Sequence, residues 1–380
     1  MALNLVRNSK VFFTTNVDPV TGKVNDAATL AATDTFEIQV LDGFTFSQKT
    51  NSDTVTINEA GASPTRGQRA FNTSLAPVDF SFSTYIRPTT LATVVTAEEK
   101  VLWNAIAGTT AIGGAGAAWA AGVVSFAHSN AHQLEKFGMI IIVDNATYVI
   151  DNCSLNQVTV DFGIDAIATG AWTGQGTALR SLAAGITAVN GTFGSGISGT
   201  YTPKDTSAHY ITNKLSTVSL SLVKDLLDSS GATVAAAGSI YNVAITGGSI
   251  TINNNINYLT PANLGTVNQP IAYYTGARSI TGTLNAYLKT GAGNSAVLLA
   301  NMLSSAPVTI EPMFNLSVDI GGNTNPVKVN LSMPTTVITI PTVDVQQVIS
   351  TSINFTAQAA TGSVYDLTQT NELVVTYTSP

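Results

Sequence analysis

Ala70-Phe71-Asn72-Thr73, with Val78, Phe82, Tyr85, Ile86 and Arg87 behind it, returns as Ala272-Tyr273-Tyr274-Thr275, with Ile280, Leu284, Tyr287, Leu288 and Lys289 behind it at identical spacing. A second stretch repeats in step: Phe36-Glu37-Ile38-Gln39-Val40 becomes Tyr241-Asn242-Val243-Ala244-Ile245, and each runs on to a glycine, Gly43 or Gly247. Two further matches frame these, Ser9-Lys10-Val11 with Ser216-Thr217-Val218, and Trp172-Thr173-Gly174-Gln175-Gly176 with Phe355-Thr356-Ala357-Gln358-Ala359. One succession of segments therefore runs over 9–176 and again over 216–359, and each copy is long enough to bury its own core. The expected organisation is a first domain over 1–176, a glycine-rich connector over 177–215 and a second domain over 216–380. An enzyme rarely needs its fold twice, whereas a ring-building subunit can use two copies to fill two positions.

Apolar residues alternate with polar ones through most of both copies, which makes the chain mainly β. Strands are expected over 10–16 and 36–40, followed by a long hairpin with arms at 44–58 and 69–87. Its connection, Ala60-Gly61-Ala62-Ser63-Pro64-Thr65-Arg66-Gly67, holds too much turn chemistry for a strand interior. The corresponding tip in the second copy spans 257–269. Thr96-Ala97-Glu98-Glu99 reads as a capping box that opens a helix with Val101, Leu102, Ala105 and Ile106 on one face and Gly108 at its end. Asn294 or Ser295 caps the counterpart, which turns Val297, Leu298 and Met302 inward. Further strands are expected at 139–143, 148–151 and 155–174 in the first copy, and at 308–313, 327–333 and 345–357 in the second. An Ala/Gly-rich insertion at about 107–137 has no match in the second copy.

Only 10% of residues are charged, against roughly 25% in an ordinary globular domain, so much of the surface is expected to be covered by other subunits. The alternative is a secreted two-domain β-sandwich, an adhesin or surface-layer protein with a polar, uncharged exterior. The start, Met-Ala-Leu-Asn-Leu-Val-Arg-Asn, has no long apolar run, so no signal peptide is expected. A net charge of -7 with 16 scattered basic residues opposes nucleic-acid binding. The single cysteine, Cys153, lies in a strand-like run and reads as a buried thiol.

Chemistry-bearing patterns are weak. His128 and His132 are four apart near Glu135, but Asn130-Ala131 stands where a zincin has its glutamate, so exposed loop histidines are the better reading; His209 has no identifiable partner. Asp161 and Asp165 alternate along one strand and read as a wetted face rather than a glycosidase pair. The glycine clusters at 113–116 and 191–199 lack the Lys-Ser/Thr of a phosphate loop, and Ala111 to Ala127 is too short and too rich in Ala and Gly for a membrane span. No catalytic residue, metal site or cofactor is expected.

The order of elements, with Thr275-Gly276-Ala277-Arg278-Ser279-Ile280-Thr281-Gly282-Thr283-Leu284 and Tyr210-Ile211-Thr212-Asn213-Lys214-Leu215 leading into Val218, Leu220 and Leu222, resembles the tail tube, or major tail, proteins of long-tailed bacteriophages. The resemblance extends over both copies. It implies two tandem β-sandwich or half-barrel domains, each with one flanking helix and a long hairpin arm, whose inner sheets join those of neighbours around a channel. It also implies a non-enzymatic virion component made in the host cytoplasm, with a duplicated subunit completing a sixfold ring as a trimer. Implied partners are other copies of the chain, a tape measure protein in the lumen during assembly, tail terminator, baseplate or tail-tip proteins, a sheath protein if the tail contracts, and genomic DNA in passage without specific binding. Read from the residues, one strand face carries Ser, Thr and Asn in both copies: Thr45 and Ser47 match Ser249 and Thr251, and Ser81 and Ser83 match Thr283 and Asn285. With Thr281 they are the expected lumen lining. Glu59, Gly61, Pro64 and Arg66 in the first tip, and Leu259, Pro261 and Leu264 in the second, are the expected inter-ring arm, because both tips exceed an ordinary hairpin loop.

Overall fold

The computed structural model describes residues 9–25, 29–31, 33–41, 43–55, 69–91, 94–108, 119–120, 122–126, 134–143, 146–181, 192–193, 197–198, 209–265, 267–309, 312–322, 326–345, 347–358 and 372–379. The first copy contains β1 (Ser9–Thr14), β2 (Thr35–Ile38), β3 (Thr45–Val55), β4 (Arg69–Tyr85), helix α1 (Lys100–Ala107), β5 (Val123–Phe126), β6 (Phe137–Val143), β7 (Ala146–Asp161), β8 (Thr169–Gly176) and β9 (Ala178–Ser181). The second contains β10 (Thr217–Leu222), β11 (Ile245–Asn253), the ribbon strands β12 (Ile256–Leu259) and β13 (Ala272–Thr275), then β14 (Ser279–Tyr287) and helix α2 (Ser295–Ser305). It closes with β15 (Met313–Ile320), β16 (Lys328–Ile338), β17 (Thr342–Asp344), β18 (Ser350–Ala357) and β19 (Leu373–Thr378).

Each copy is two antiparallel sheets that share a bent strand. In the first, β3, β4 and β8 end on the second half of β7, while β2, β1 and β6 meet its first half and β9 lies on the other side. The bend falls where the register of β7 shifts, beside Asn152 at φ 46°, a conformation Asn tolerates better than most residues. In the second copy β16 makes the same turn. Its start pairs with β15 and β19, and Thr336, Val337 and Ile338 pair with β18. Between the copies β7 pairs with β11, from Gln157 opposite Asn253 to Asp161 opposite Ser249. A single sheet therefore runs β3–β4–β8–β7–β11–β14–β18–β17.

The copies also interlock behind this sheet. Strand β19 pairs with β16 on one side and with β5, from the first copy's insertion, on the other, and one apolar cluster runs through both copies. Helix α1 is buried from Val101 to Ala107, not on one face alone: it packs on β7 and β5, and the second copy reaches it through Tyr377 at Trp103 and through Asn254, which donates to the Ile106 carbonyl. The Trp103 ring stands edge-on to Trp172 at 5.1 Å, and its Nε1 donates to the Tyr377 hydroxyl at 2.7 Å. That hydroxyl donates to Glu99 Oε1 at 2.6 Å. Helix α2 keeps the amphipathic habit, burying Ser295, Leu298, Met302 and Ser305.

Three sequence expectations are corrected here. Thr96 is in the short strand Val94–Ala97, so there is no capping box; Glu99 takes the N-cap without a side-chain cap bond and its carboxyl serves Tyr377 instead. In the second copy Asn294, one of the two residues expected there, is the N-cap of α2, though without a side-chain cap bond, and Ser295 ties the helix to β14 by donating to the Tyr287 carbonyl and accepting from the Lys289 amide. Among the described residues of 308–313 only Met313 is in a strand: α2 runs to Ser305 and β15 begins at Met313. The Trp172 match is displaced by one side-chain pair. Tyr85 stands opposite Thr169 and Tyr287 opposite Ser350, which makes Ile353, not Phe355, the partner of Trp172 in the repeat. The sequence match slipped because two side chains changed strands. Phe80 fills the space over Gly174 in the first copy, where a Cβ would meet its ring at 2.4 Å, while Phe355 fills the space over Gly282 in the second, where a Cβ would meet its ring at 2.3 Å. Gly108, at φ 81°, ends α1 as expected.

Candidate functional surfaces: a polar sheet face and an apolar arm

The long sheet has one apolar and one polar face because its strands alternate. Phe80, Phe82, Ile250, Ile252, Ile280 and Leu284 are buried, while Thr45, Ser47, Ser81, Ser83, Ser249, Thr251, Thr281, Thr283 and Asn285 project from the other side with part of their surface open. All nine residues expected from sequence thus share one face. Hydroxyls bridge the strands: Thr45 Oγ1 to Ser81 Oγ at 2.7 Å, Thr159 Oγ1 to Thr251 Oγ1 at 3.1 Å, and Thr283 Oγ1 donates to Asn354 Oδ1 at 2.8 Å. The face also includes Gln157, Thr159, Thr173, Gln175, Asn354 and Thr356, which the sequence reading passed over although Val158-Thr159-Val160-Asp161 shows the same alternation. The described strand residues carry on this face the carboxylates Asp79, Asp161 and, at its edge, Asp344, and one cation at the end of the alternation, Lys49, exposed two residues beyond Ser47 on β3. Asp79 accepts from Gln175 Nε2 at 2.8 Å and Asp161 from the Gly163 amide at 3.0 Å.

The arm of the second copy is the ribbon β12–β13, set off from the long sheet by Asn255 at φ 50°. It is rooted on the first copy. The Tyr258 hydroxyl lies 2.8 Å from the carbonyls of both Asn152 and Gln175, and Tyr273 donates to the Leu134 carbonyl at 2.6 Å. Its tip is held to β4, where the Leu75 amide donates to the Asn268 carbonyl and the Asn268 amide to that of Thr73. Leu259, Leu264, Ile271 and Tyr274 are exposed along it, Leu264 completely, whereas Pro261 is half-buried. At the opposite end of the strands, Ile164, Val345, Val348 and Ile349 are exposed in the turns after β7 and β17.

No protein-family model matches the chain. The tail tube protein pb6 of Escherichia phage T5 is 32% identical to it over 371 residues, covering 94% of this chain and 73% of that protein. The chain belongs to the phage tail tube proteins. It is therefore a structural component of a virion tail, made in the infected host, that assembles with its own kind into a tube, and the adhesin or surface-layer alternative falls away.

The other candidates can be placed on this tail tube protein. Glu59, Gly61, Pro64 and Arg66 lie outside the described residues, as do His128 and His132. The His209 amide donates to the Pro88 carbonyl. Asp161 ends β7, but Asp165 sits in the following turn beside Lys214 at 3.6 Å, so the two do not alternate along one strand. Cys153 is buried as expected, and burial pushes its thiol well above the ordinary range. Among the described residues no cluster of His, Cys, Asp and Glu could hold a metal ion, and no helix is long and apolar enough to cross a membrane. Sequence reasoning placed Glu99 in a capping box and missed its buried role. Enclosure by apolar groups raises its carboxyl to about 7, against the opposing pull of the Tyr377 hydrogen bond.

Proposed function

We propose that three chains close into a ring with six similar positions, and that such rings stack into a tube whose polar face lines the channel for the genome. The observation that supports this most directly is the β7–β11 joint: two copies lie side by side in one sheet with their hydroxyl-rich faces on the same side. Thr45, Ser47, Ser81, Ser83, Ser249, Thr251, Thr281, Thr283 and Asn285 would be wetted by the channel and offer phosphate no cation. The carboxylates Asp79 and Asp161 on the same face add repulsion, and three chains at -7 bring a ring to about -21. DNA would slide without being held.

The arm carrying Leu259, Pro261 and Leu264 is the proposed contact to the next ring, since Leu264 and its neighbours leave an apolar strip that water alone would not favour. The corresponding tip with Glu59, Gly61, Pro64 and Arg66 would do the same for the first copy. The role is purely structural, without catalysis. Expected partners are a tape measure protein during assembly, terminator and baseplate or tail-tip proteins at the ends, and a sheath protein if the tail contracts. The domain limits 1–176, 177–215 and 216–380 remain the proposed bounds of the repeat. Native mass measurement of isolated rings, with end-on negative-stain views, tests the reading. Three chains with six similar lobes are expected, and six full chains in one ring would overturn it.

A further inference from the structure

The joint inside the chain is also a template for the joint between chains. The repeat relates Asp161, opposite Thr169, to Asp344, opposite Ser350, and relates Ser249, opposite Thr283, to Thr45, opposite Ser81. Strand β17 is thus the second copy's version of the end of β7, and β3 is the first copy's version of β11. Inside the chain those edges meet. At the ends of the long sheet they do not: among the described residues no strand lies on the outer side of Thr342 and Val343, or of Thr45 to Ser47. Burial records the difference. Val160 is 0% exposed and Phe162 2%, while their counterparts Val343 and Val345 are 41% and 76% exposed.

Resting on the ring reading, we propose that β17 of one chain adds to β3 of a second copy in the register the internal joint dictates: Thr342 opposite Ser47, Val343 opposite Phe46 and Asp344 opposite Thr45. The Val345 amide then donates to the Phe44 carbonyl, as the Phe162 amide donates to that of Gly248 at 3.1 Å. Side-chain volume fits this pairing. In the internal joint Phe162 lies over Gly248, where a Cβ would meet its ring at 2.7 Å; in the external one the smaller Val345 replaces the ring and Phe44 replaces the glycine. The Thr159–Thr251 hydroxyl contact has its counterpart in Thr342 and Ser47. The contact is head-to-tail, so in a ring whose rotation closes, repeating it leaves no sheet edge open.

Cysteine pairs read the register. The bonds from Phe162 to Gly248 and from Asn254 to Asn156 make Thr159–Thr251 a non-hydrogen-bonded pair, the closely spaced kind whose Cβ separation of roughly 4.5–5.5 Å approaches what a disulfide needs. The full chain carrying Ser47→Cys and Thr342→Cys, assembled and then oxidised, should run as covalent oligomers on non-reducing gels, while a mixture of the two single variants should stop at dimers. The native Cys153 is buried and does not compete. Thr45→Cys with Thr342→Cys, two residues out of step, should cross-link at least tenfold less. Equal or stronger cross-linking of that displaced pair, or a cross-link within one chain, overturns the register. Rings visible by microscopy with no in-register cross-link also overturn it while sparing the ring reading; absence of rings from the unmodified chain defeats the ring reading itself. As a second readout, Val345→Asp should leave a folded subunit, since the site is exposed, that no longer closes rings; normal rings from that variant count against the joint.

Discussion

Replacing Glu99 by Gln should stabilise the subunit at alkaline pH and leave it nearly unchanged in acid. The carboxyl is enclosed between α1, Arg87 and the last strand, accepts from Tyr377 and from the Arg87 amide, and leaves Oε2 buried without a partner among the described residues. Its value in the fold is about 7, against 4.5 when unfolded. Below 4.5 both states hold the proton and the fold bears no penalty. Between there and about 7 the unfolded chain releases its proton first, so stability falls as pH rises; above 7 the loss is complete. A difference of between two and three pKa units corresponds to roughly 3 kcal/mol. Gln keeps the shape and the acceptor but cannot ionise. Urea unfolding of dissociated subunits, followed through Trp103 and Trp172, should show wild type and variant converging near pH 4.5 and separating by roughly 3 kcal/mol at pH 8. Parallel pH profiles, or a variant weaker at pH 8, would refute the account.

Thr283→Arg would place one guanidinium per chain on the proposed channel face; tubes should still assemble, but DNA ejection should slow and become strongly salt-dependent, and an unchanged ejection rate would show that this face does not line the channel. Leu264→Asp should yield normal rings that stack into short tubes or none, read as tube length by negative stain, and full-length tubes would assign the arm another role. Gly282→Ala drives a Cβ against the Phe355 ring and the Ser249 carbonyl at 2.5 Å, so a loss of about 2–4 kcal/mol is expected in urea unfolding. Phe355→Leu should recover part of that loss, and simple additivity of the two substitutions would count against a direct clash.

Much of the architecture is legible in the sequence because it rests on alternation, which a strand displays openly. The repeat anchored at Tyr85 and Tyr287 places the long sheet correctly, and the nine polar residues fall on one face because parity survives any even displacement. The same property concealed the error at Trp172. A displacement of two residues keeps every side chain on its proper face, and the exchange of Phe80 over Gly174 for Phe355 over Gly282 made the wrong alignment look better than the right one. The capping box failed for another reason. Thr96-Ala97-Glu98-Glu99 has the local chemistry of a helix start, but Tyr377, far along the chain, recruits Glu99 for a buried contact that local pattern cannot announce. The pairing of β5 with β19 is equally non-local: nothing around Val124 names Val375 as its neighbour across the sheet.

The exchanged Phe and Gly bear on how such a chain can be inherited. Were every ring position filled by the same single-domain protein, a substitution would strike all positions at once, and a trade of volume between two strands would have to succeed everywhere in one step. With two copies in one chain, each pair of touching strands can drift apart from its sister. The drift then limits recombination. Moving β18 into the first copy would set Phe355 against Phe80, and moving β8 into the second would set Gly174 against Gly282, so one hybrid is overfilled and the other hollow. Strands that touch must be inherited together, so at these pairs the two halves of the chain are not interchangeable.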